Sequence, residues 1–130
     1  MIMLPIALTT AGAAALVNMW LGMRIGRVRQ AEKISIGDGG NLRLIARMRA
    51  QLNFAEYVPL VLILIGLIEL SSGSQLWLWI VSVLFILGRV LHGFGMDGWM
   101  PGRMIGTMTT MLTMVGLGIY AAIIPYHLFG

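Results

Sequence analysis

The amino-acid sequence predicts an all-α membrane protein, a four-helix transmembrane bundle that forms a single domain over residues 1–130. Two observations support this fold class. Hydrophobic residues make up 58% of the 130 residues and charged residues only 11%, whereas a soluble domain carries about 25% charged residues because its surface faces water. The apolar residues also form four segments, and four helices of about 20 residues with short connectors use nearly the whole chain.

The first two helices are predicted over residues 2–26 and 42–70. The first is uncharged as far as Met23, and we expect it to remain in the protein rather than be cleaved as a signal peptide, because basic residues follow it and none precedes it. A basic connector comes next, in which the segment Gly37–Gly40 predicts a turn with positive φ. The second helix starts with polar and charged turns and becomes almost wholly apolar from Val58.

The third and fourth helices are predicted over residues 75–94 and 103–128. Trp77 and Trp79 lie near the start of the third helix, and tryptophan at a helix end is typical of the boundary between lipid and water. A connector rich in glycine and proline separates these two helices, and residues of this kind end a helix and turn the chain.

The basic residues predict the orientation of the bundle. Seven of the nine Lys and Arg residues lie between positions 24 and 49, and the other two, Arg89 and Arg103, flank the third connector. By the positive-inside rule, the first and third connectors are cytoplasmic and both termini are periplasmic. The same asymmetry accounts for the net charge of +4, so we expect no nucleic-acid partner.

The composition also limits the chemistry of the protein. The chain has no cysteine, so any thiol in a reaction must come with a ligand. Its two histidines lie far apart in the sequence and match no metal-ligand spacing. We therefore expect no metal site.

The most informative segment is the start of the second helix, which reads Arg-Ala-Gln-Leu-Asn-Phe-Ala-Glu-Tyr-Val-Pro over residues 49–59. In a helix, Arg49, Asn53 and Glu56 lie within about 60° of one another on one face. A charged group costs about 2.5–3.5 kcal/mol near the centre of a membrane helix, so it is kept where it faces a protein interior or a wet cavity. The alternative is an ion pair between Arg49 and Glu56 that only holds helices together.

Further cations lie at the same membrane depth, at the ends of the other helices. A cluster of cations with one carboxylate suits a ligand that carries several carboxylates and one ammonium group. The alternative is that arginines cluster on the cytoplasmic side in any case. The residues concerned are Arg24, Arg27, Arg89, His92 and Arg103.

The string Arg-Ala-Gln-x-Asn-x-x-Glu-Tyr-x-Pro resembles the signature of the MAPEG superfamily, the membrane-associated proteins in eicosanoid and glutathione metabolism. The similarity extends over the whole chain, including the GDGG turn of the first connector and an Arg-x-x-His-x-x-Gly stretch at the end of the third helix. Small bacterial members are the most similar, and the chain also resembles microsomal glutathione transferases and leukotriene C synthase. Where leukotriene C synthase has tyrosines, this chain has His92 and Met96.

The resemblance implies a glutathione site shared between the subunits of a homotrimer. Arg49 would meet a glutathione carboxylate, and Arg103 would be the catalytic residue that stabilises the thiolate. His92 would either replace a tyrosine of the relatives as a hydrogen-bonding group or extend to the membrane surface. The other positions implied to bind glutathione are Arg27 or Arg29 from the neighbouring subunit, Gln51, Asn53, Glu56, Tyr57 and Arg89.

The function that the resemblance implies is a membrane-bound glutathione transferase in a bacterial inner membrane. With glutathione as co-substrate, it would conjugate hydrophobic electrophiles in detoxification, or reduce lipid hydroperoxides as a peroxidase. Its partners would be glutathione, a hydrophobic electrophile or lipid, and the membrane lipids. One alternative is a non-enzymatic scaffold of the same fold that binds lipid or glutathione. Another is a small multidrug exporter, but exporters of that kind carry a glutamate in the first helix, and residues 2–26 contain no acidic residue.

Overall fold

The computed structural model describes the backbone of residues 1–129 and the side chains of residues 1–126. Over this part of the chain the protein has four α-helices and no β-strand. All four helices are long and apolar enough to cross a membrane, which confirms the predicted all-α, four-helix membrane fold. The helices are α1 (Pro5–Glu32), α2 (Leu42–Ser72), α3 (Leu76–Gly95) and α4 (Met100–Phe129).

The first helix is longer than predicted. It continues to Glu32 instead of ending near residue 26, since residues 27–32 contain neither glycine nor proline. It ends at Lys33, which adopts a left-handed conformation (φ 56°) and donates its backbone N–H to the carbonyl of Arg29. The turn predicted in the following connector is present, because Gly37, Gly39 and Gly40 all have positive φ.

Two prolines, Pro5 and Pro101, lie in the first turn of a helix, where proline is tolerated. The fourth helix begins at Met100, three residues before the predicted start, and has Pro101 in its first turn. The N–H that proline lacks would have no partner within the helix at that position. The second helix runs without a break through Pro59.

The start of α1 is capped by a side chain from α2. The backbone N–H groups of Ile6 and Ala7 each donate to the carboxylate of Glu69 at 2.9 Å, and the hydroxyl of Ser74 donates to it at 2.8 Å. Leu4, which precedes α1, offers no side-chain cap. Glu69 is only 2% exposed, and a carboxylate at a helix N-terminus is stabilised by the unpaired N–H groups and the helix dipole.

Glycines bring α3 and α4 close together at the end of the bundle that carries the basic residues. A Cβ atom at Gly95 would lie 2.1 Å from the backbone nitrogen of Arg103, and one at Gly106 would lie 2.5 Å from the Cβ of His92. Both distances are far below van der Waals contact, so only glycine fits. This packing fixes the start of α4 against the end of α3.

The outer surface of the bundle is apolar. Large hydrophobic side chains are exposed on every helix, as a lipid environment allows. Examples of the exposed residues are Leu16, Leu67, Leu84, Met108 and Leu112.

The predicted homotrimer and the predicted sides of the membrane remain predictions.

Candidate functional site

A charged network joins three helices at the basic end of the bundle. Asp97, in the connector between α3 and α4, accepts hydrogen bonds from Arg24 of α1 and from Nε of Arg47 of α2, the latter at 3.3 Å. Arg47 also donates to the carbonyl of Arg24 at 3.0 Å, and Arg24 donates to the carbonyl of Gly93 at 2.9 Å. Arg24, predicted among the cations that suit a ligand, is instead paired with Asp97, a partner that no sequence pattern indicates.

Arg24 is enclosed as well as paired. Its guanidinium lies 4.9 Å from the ring centroid of Trp20 and 5.2 Å from that of Phe94, and its side chain is 8% exposed. Cation–π contacts of this kind stabilise a charge that has left water. Arg24 therefore serves the fold, and it shares the negative charge of Asp97 with Arg47.

The polar stripe predicted on α2 faces the outside of the single chain. Arg49 and Glu56 are exposed, while Asn53 and Tyr57 are half-buried. Among the residues whose side chains are described, these four side chains make no hydrogen bond or ion pair, and Arg49 does not pair with Glu56. Their hydrogen-bonding capacity is therefore available to a ligand or to another copy of the chain.

Gln51 lies on a different face of α2 from the stripe. Its side-chain nitrogen donates to the side-chain oxygen of Asn18 of α1 at 3.3 Å. Within one chain Gln51 therefore contacts α1 and does not reach the stripe. It could contact a stripe only if that stripe belonged to a neighbouring subunit. Its role in binding remains a prediction.

Two polar side chains of α3 are buried inside the bundle. Arg89 is 1% exposed and His92 is 3% exposed. Arg89 donates to the hydroxyl of Thr110 at 3.0 Å, and its guanidinium lies 5.9 Å from the ring centroid of Phe54, the residue after Asn53. The alternative in which His92 extends to the membrane surface is wrong, because the side chain points into the bundle.

The buried pair keeps unused hydrogen-bonding atoms. Nε of Arg89 and Nδ1 of His92 have no partner among the described residues. Buried polar atoms in proteins are nearly always hydrogen-bonded, so both atoms retain hydrogen-bonding capacity for another group. Arg89 lies beside Phe54 of α2 and Thr110 of α4, whereas His92 packs against Gly106 of α4.

Arg103 and Arg27 are exposed and, among the described residues, have no ion-pair partner. Arg103 lies in the first turn of α4, close to Gly95. By contrast, Arg29 donates to the carbonyl of Gly37 at 2.8 Å and holds the first connector. The charges of Arg27 and Arg103 are therefore available to an anion, and that of Arg29 is directed to the backbone.

An apolar groove of about 660 Å³ runs along α3 and α4. Its walls are mainly apolar, with leucine the most frequent residue, and Thr109 and Thr113 are minor polar groups. Ile105, two residues after Arg103, contributes to its lining, as do Trp77 and Tyr120, whose rings meet edge to face at 4.9 Å. No group of three or more His, Cys, Asp or Glu residues that could hold a metal ion occurs among the described residues.

Comparisons with known proteins agree with this architecture. Two proteins, both called inner membrane protein YecN, are similar to the chain: one from Escherichia coli strain K12 and one from Escherichia coli O6:H1 strain CFT073. Each is 28% identical over 106 residues, which cover 78% of this chain and 81% of the relative. The model of the MAPEG family matches residues 7–123, a range that contains the α2 stripe, Arg89 and Arg103. The chain therefore belongs to the MAPEG family.

Proposed function

We propose that this protein is a glutathione transferase of a bacterial inner membrane, which ionises the glutathione thiol and joins its sulfur to a hydrophobic electrophile. The observation that carries the proposal is the set of polar side chains on α2 that have no partner among the described residues. These belong to a chain of the MAPEG family and include Arg49 and Glu56. The inner-membrane location is supported by the relatives, which are inner membrane proteins by name.

The spacing of the stripe suits an extended tripeptide. Arg49 and Glu56 are seven residues apart, which is about 10.5 Å along a helix, and an extended tripeptide spans about 10 Å. Glutathione carries two carboxylates and one ammonium group. Arg49 would hold a carboxylate through two parallel N–H bonds, and Glu56 would accept from the ammonium group. Asn53 and Tyr57 offer both donors and acceptors for the peptide groups between them.

Arg103 would ionise the thiol. A free thiol with a pKa of about 8.5 is only a few per cent thiolate at neutral pH, and lowering that pKa by two units requires about 2.7 kcal/mol of preferential thiolate stabilisation. The guanidinium of Arg103, which has no acidic partner among the described residues, would supply this thiolate stabilisation where water is partly excluded. The proton leaves to water at the membrane boundary.

The groove between α3 and α4 would admit the second substrate from the bilayer. It is apolar, and its lining begins two residues after Arg103 at Ile105. The thiolate attacks the electrophilic carbon, a C–S bond forms, and a leaving group departs or a double bond takes up a proton from water. The same thiolate chemistry extends to a lipid hydroperoxide, which two glutathione molecules reduce to the alcohol and water as they form a disulfide.

A homotrimer would explain why the stripe faces outward. Charged side chains at membrane depth are unfavourable when they face lipid, and a second copy placed over α2 would remove them from lipid. The exposed Arg27 of α1 would then reach the stripe of a neighbouring subunit. The site would be complete only between two chains.

Thiolate absorbance tests the proposal. Purified protein in detergent is titrated with glutathione near neutral pH while the ultraviolet difference signal of the thiolate is followed. We expect a saturable signal that is lost in Arg103→Ala and kept in Thr107→Ala, which removes an exposed side chain one turn further along α4.

The other outcomes of this titration point to other functions. Binding without a thiolate signal would contradict the transferase and favour a non-enzymatic scaffold that binds glutathione. Absence of binding would contradict the proposal as a whole. A small multidrug exporter is disfavoured because residues 2–26, the predicted first helix, contain no acidic residue, and proton-coupled drug uptake into vesicles would instead favour it.

A further inference from the structure

We propose that Asp97 is a positioning residue for the thiol-activating arginine. By holding Arg24 and Arg47, it would fix the connector between α3 and α4 and thus the place of Arg103 relative to the α2 stripe. The inference rests on the proposed function, and it assigns a role to a residue outside the glutathione-binding set.

The connector transmits the position of Asp97 to Arg103. Only residues 96–99 separate α3 from α4. The backbone N–H of Asp97 donates to the carbonyl of Phe94 at 3.1 Å, and that of Arg103 donates to the carbonyl of Trp99 at 3.2 Å. The backbone of Arg103 also packs directly on Gly95. A shift of Asp97 therefore moves the first turn of α4.

The other end of the linkage lies at the stripe itself. Arg47 precedes Arg49 by two residues, which is about 200° around a helix. Arg47 consequently faces inward, with its side chain 11% exposed, while Arg49 faces outward. Asp97 thus binds the same turn of α2 from which the stripe begins.

The carboxylate is also what allows two guanidinium groups to lie together. Arg24 and Arg47 are both largely buried and both contact Asp97. Without that negative charge the two cations repel each other where little water screens them. We expect loss of the charge to release the connector and to change the distance between Arg103 and the bound sulfur.

The test compares the pH at which glutathione ionises in matched variants. Asp97→Asn keeps the shape and removes the charge, Asp97→Glu keeps the charge, and Glu69→Gln alters a buried carboxylate that contacts neither Arg103 nor the stripe. The thiolate absorbance of saturated protein is titrated against pH. Glutathione affinity is measured well below the midpoint, where the thiol is protonated.

Asp97→Asn is expected to raise the midpoint by about one pH unit, a tenfold loss of thiolate below it, without a change in affinity for the protonated ligand. Asp97→Glu and Glu69→Gln should keep the wild-type midpoint. Arg47→Gln should shift it in the same direction as Asp97→Asn, and the double variant should shift it no further, because both changes break one linkage. Arg47→Gln also serves as the test if Asp97→Asn does not fold.

Three results would overturn the inference. A wild-type midpoint in Asp97→Asn and Arg47→Gln would show that the network does not position Arg103. An equal shift in Glu69→Gln would show that Asp97 only supports the fold. A wild-type protein that binds glutathione without forming thiolate would contradict the proposed function and this inference with it, whereas the first two results contradict the inference alone.

Discussion

Asp97 distinguishes one pair of arginines from another. Arg24 and Arg47 are largely buried and paired with it, whereas Arg49 and Arg103 are exposed and have no acidic partner among the described residues. The sequence could not reveal this division, because Asp97 lies 73 residues from Arg24 and 50 from Arg47. All these arginines occupy similar positions near helix ends, so only the packing of three helices distinguishes them.

The pairing of Arg24 with Asp97 predicts unequal effects of two neighbouring substitutions in α1. Arg24→Ala breaks a partly buried ion pair and two cation–π contacts, and we expect it to lower the free energy of unfolding by about 1–3 kcal/mol. Arg27→Ala, which removes an exposed side chain, should change it by less than about 0.5 kcal/mol. Thermal unfolding in detergent, followed by circular dichroism, measures both, and equal effects would contradict the structure.

The helices themselves could be predicted more fully than their ends. Hydropathy identifies four apolar segments because each must span the hydrocarbon by itself. A helix end depends on individual hydrogen bonds, as the extension of α1 to Glu32 and the early start of α4 at Met100 illustrate. The cap that Glu69 provides for α1 joins residues 62 and 63 positions apart, and no local pattern in the sequence indicates it.

The cap predicts a stability effect for Glu69. In Glu69→Gln the carboxylate charge is lost and one of its acceptor oxygens becomes a donor, which leaves buried N–H groups of α1 poorly satisfied. We expect a loss of about 1–3 kcal/mol in the free energy of unfolding. The control is Glu32→Gln at the exposed C-terminal end of α1, which should be close to neutral. Similar melting temperatures for the two variants would contradict the cap.

The contact of α3 with α4 predicts a contrast between two glycines of α4. A Cβ at Gly106 would lie 2.5 Å from the Cβ of His92 and 2.6 Å from the carbonyl oxygen of Gly88, whereas one at Gly118 would meet nothing within 4 Å. Gly106→Ala should therefore destabilise the protein, and Gly118→Ala should stabilise it by about 0.5–1 kcal/mol, as alanine does in a helix interior. Melting temperatures that change in the same direction would contradict this packing.

At the scale of the whole molecule, the polar stripe was predicted correctly as one face of a helix because that depends only on spacing. Its outward direction was not predictable, since the rotation of α2 follows from the burial of Phe54, Val58, Val61 and Ile65 against the other helices. An outward stripe in a membrane protein favours assembly, because lipid cannot satisfy charged groups. Neighbouring chains would supply that cover.

A site between subunits predicts complementation between two inactive variants. In mixed trimers of Arg27→Ala and Arg49→Ala chains, some interfaces combine an intact Arg27 with an intact Arg49. Random assembly of equal amounts gives about a quarter of the wild-type number of complete sites. Glutathione-dependent activity of the co-expressed mixture should therefore exceed that of either variant alone. A mixture no more active than the separate variants would contradict a shared site.

Calorimetric titration with glutathione tests the central claim most directly. The account predicts saturable binding by the wild-type protein in detergent or lipid, and a loss of affinity of about tenfold or more in Arg49→Ala and Glu56→Ala, since each removes a charge-assisted contact. Arg43→Ala, which removes an exposed arginine from the first turn of the same helix, should bind as the wild type does. Unchanged affinity in both Arg49→Ala and Glu56→Ala would contradict the assignment of the α2 stripe as the glutathione site.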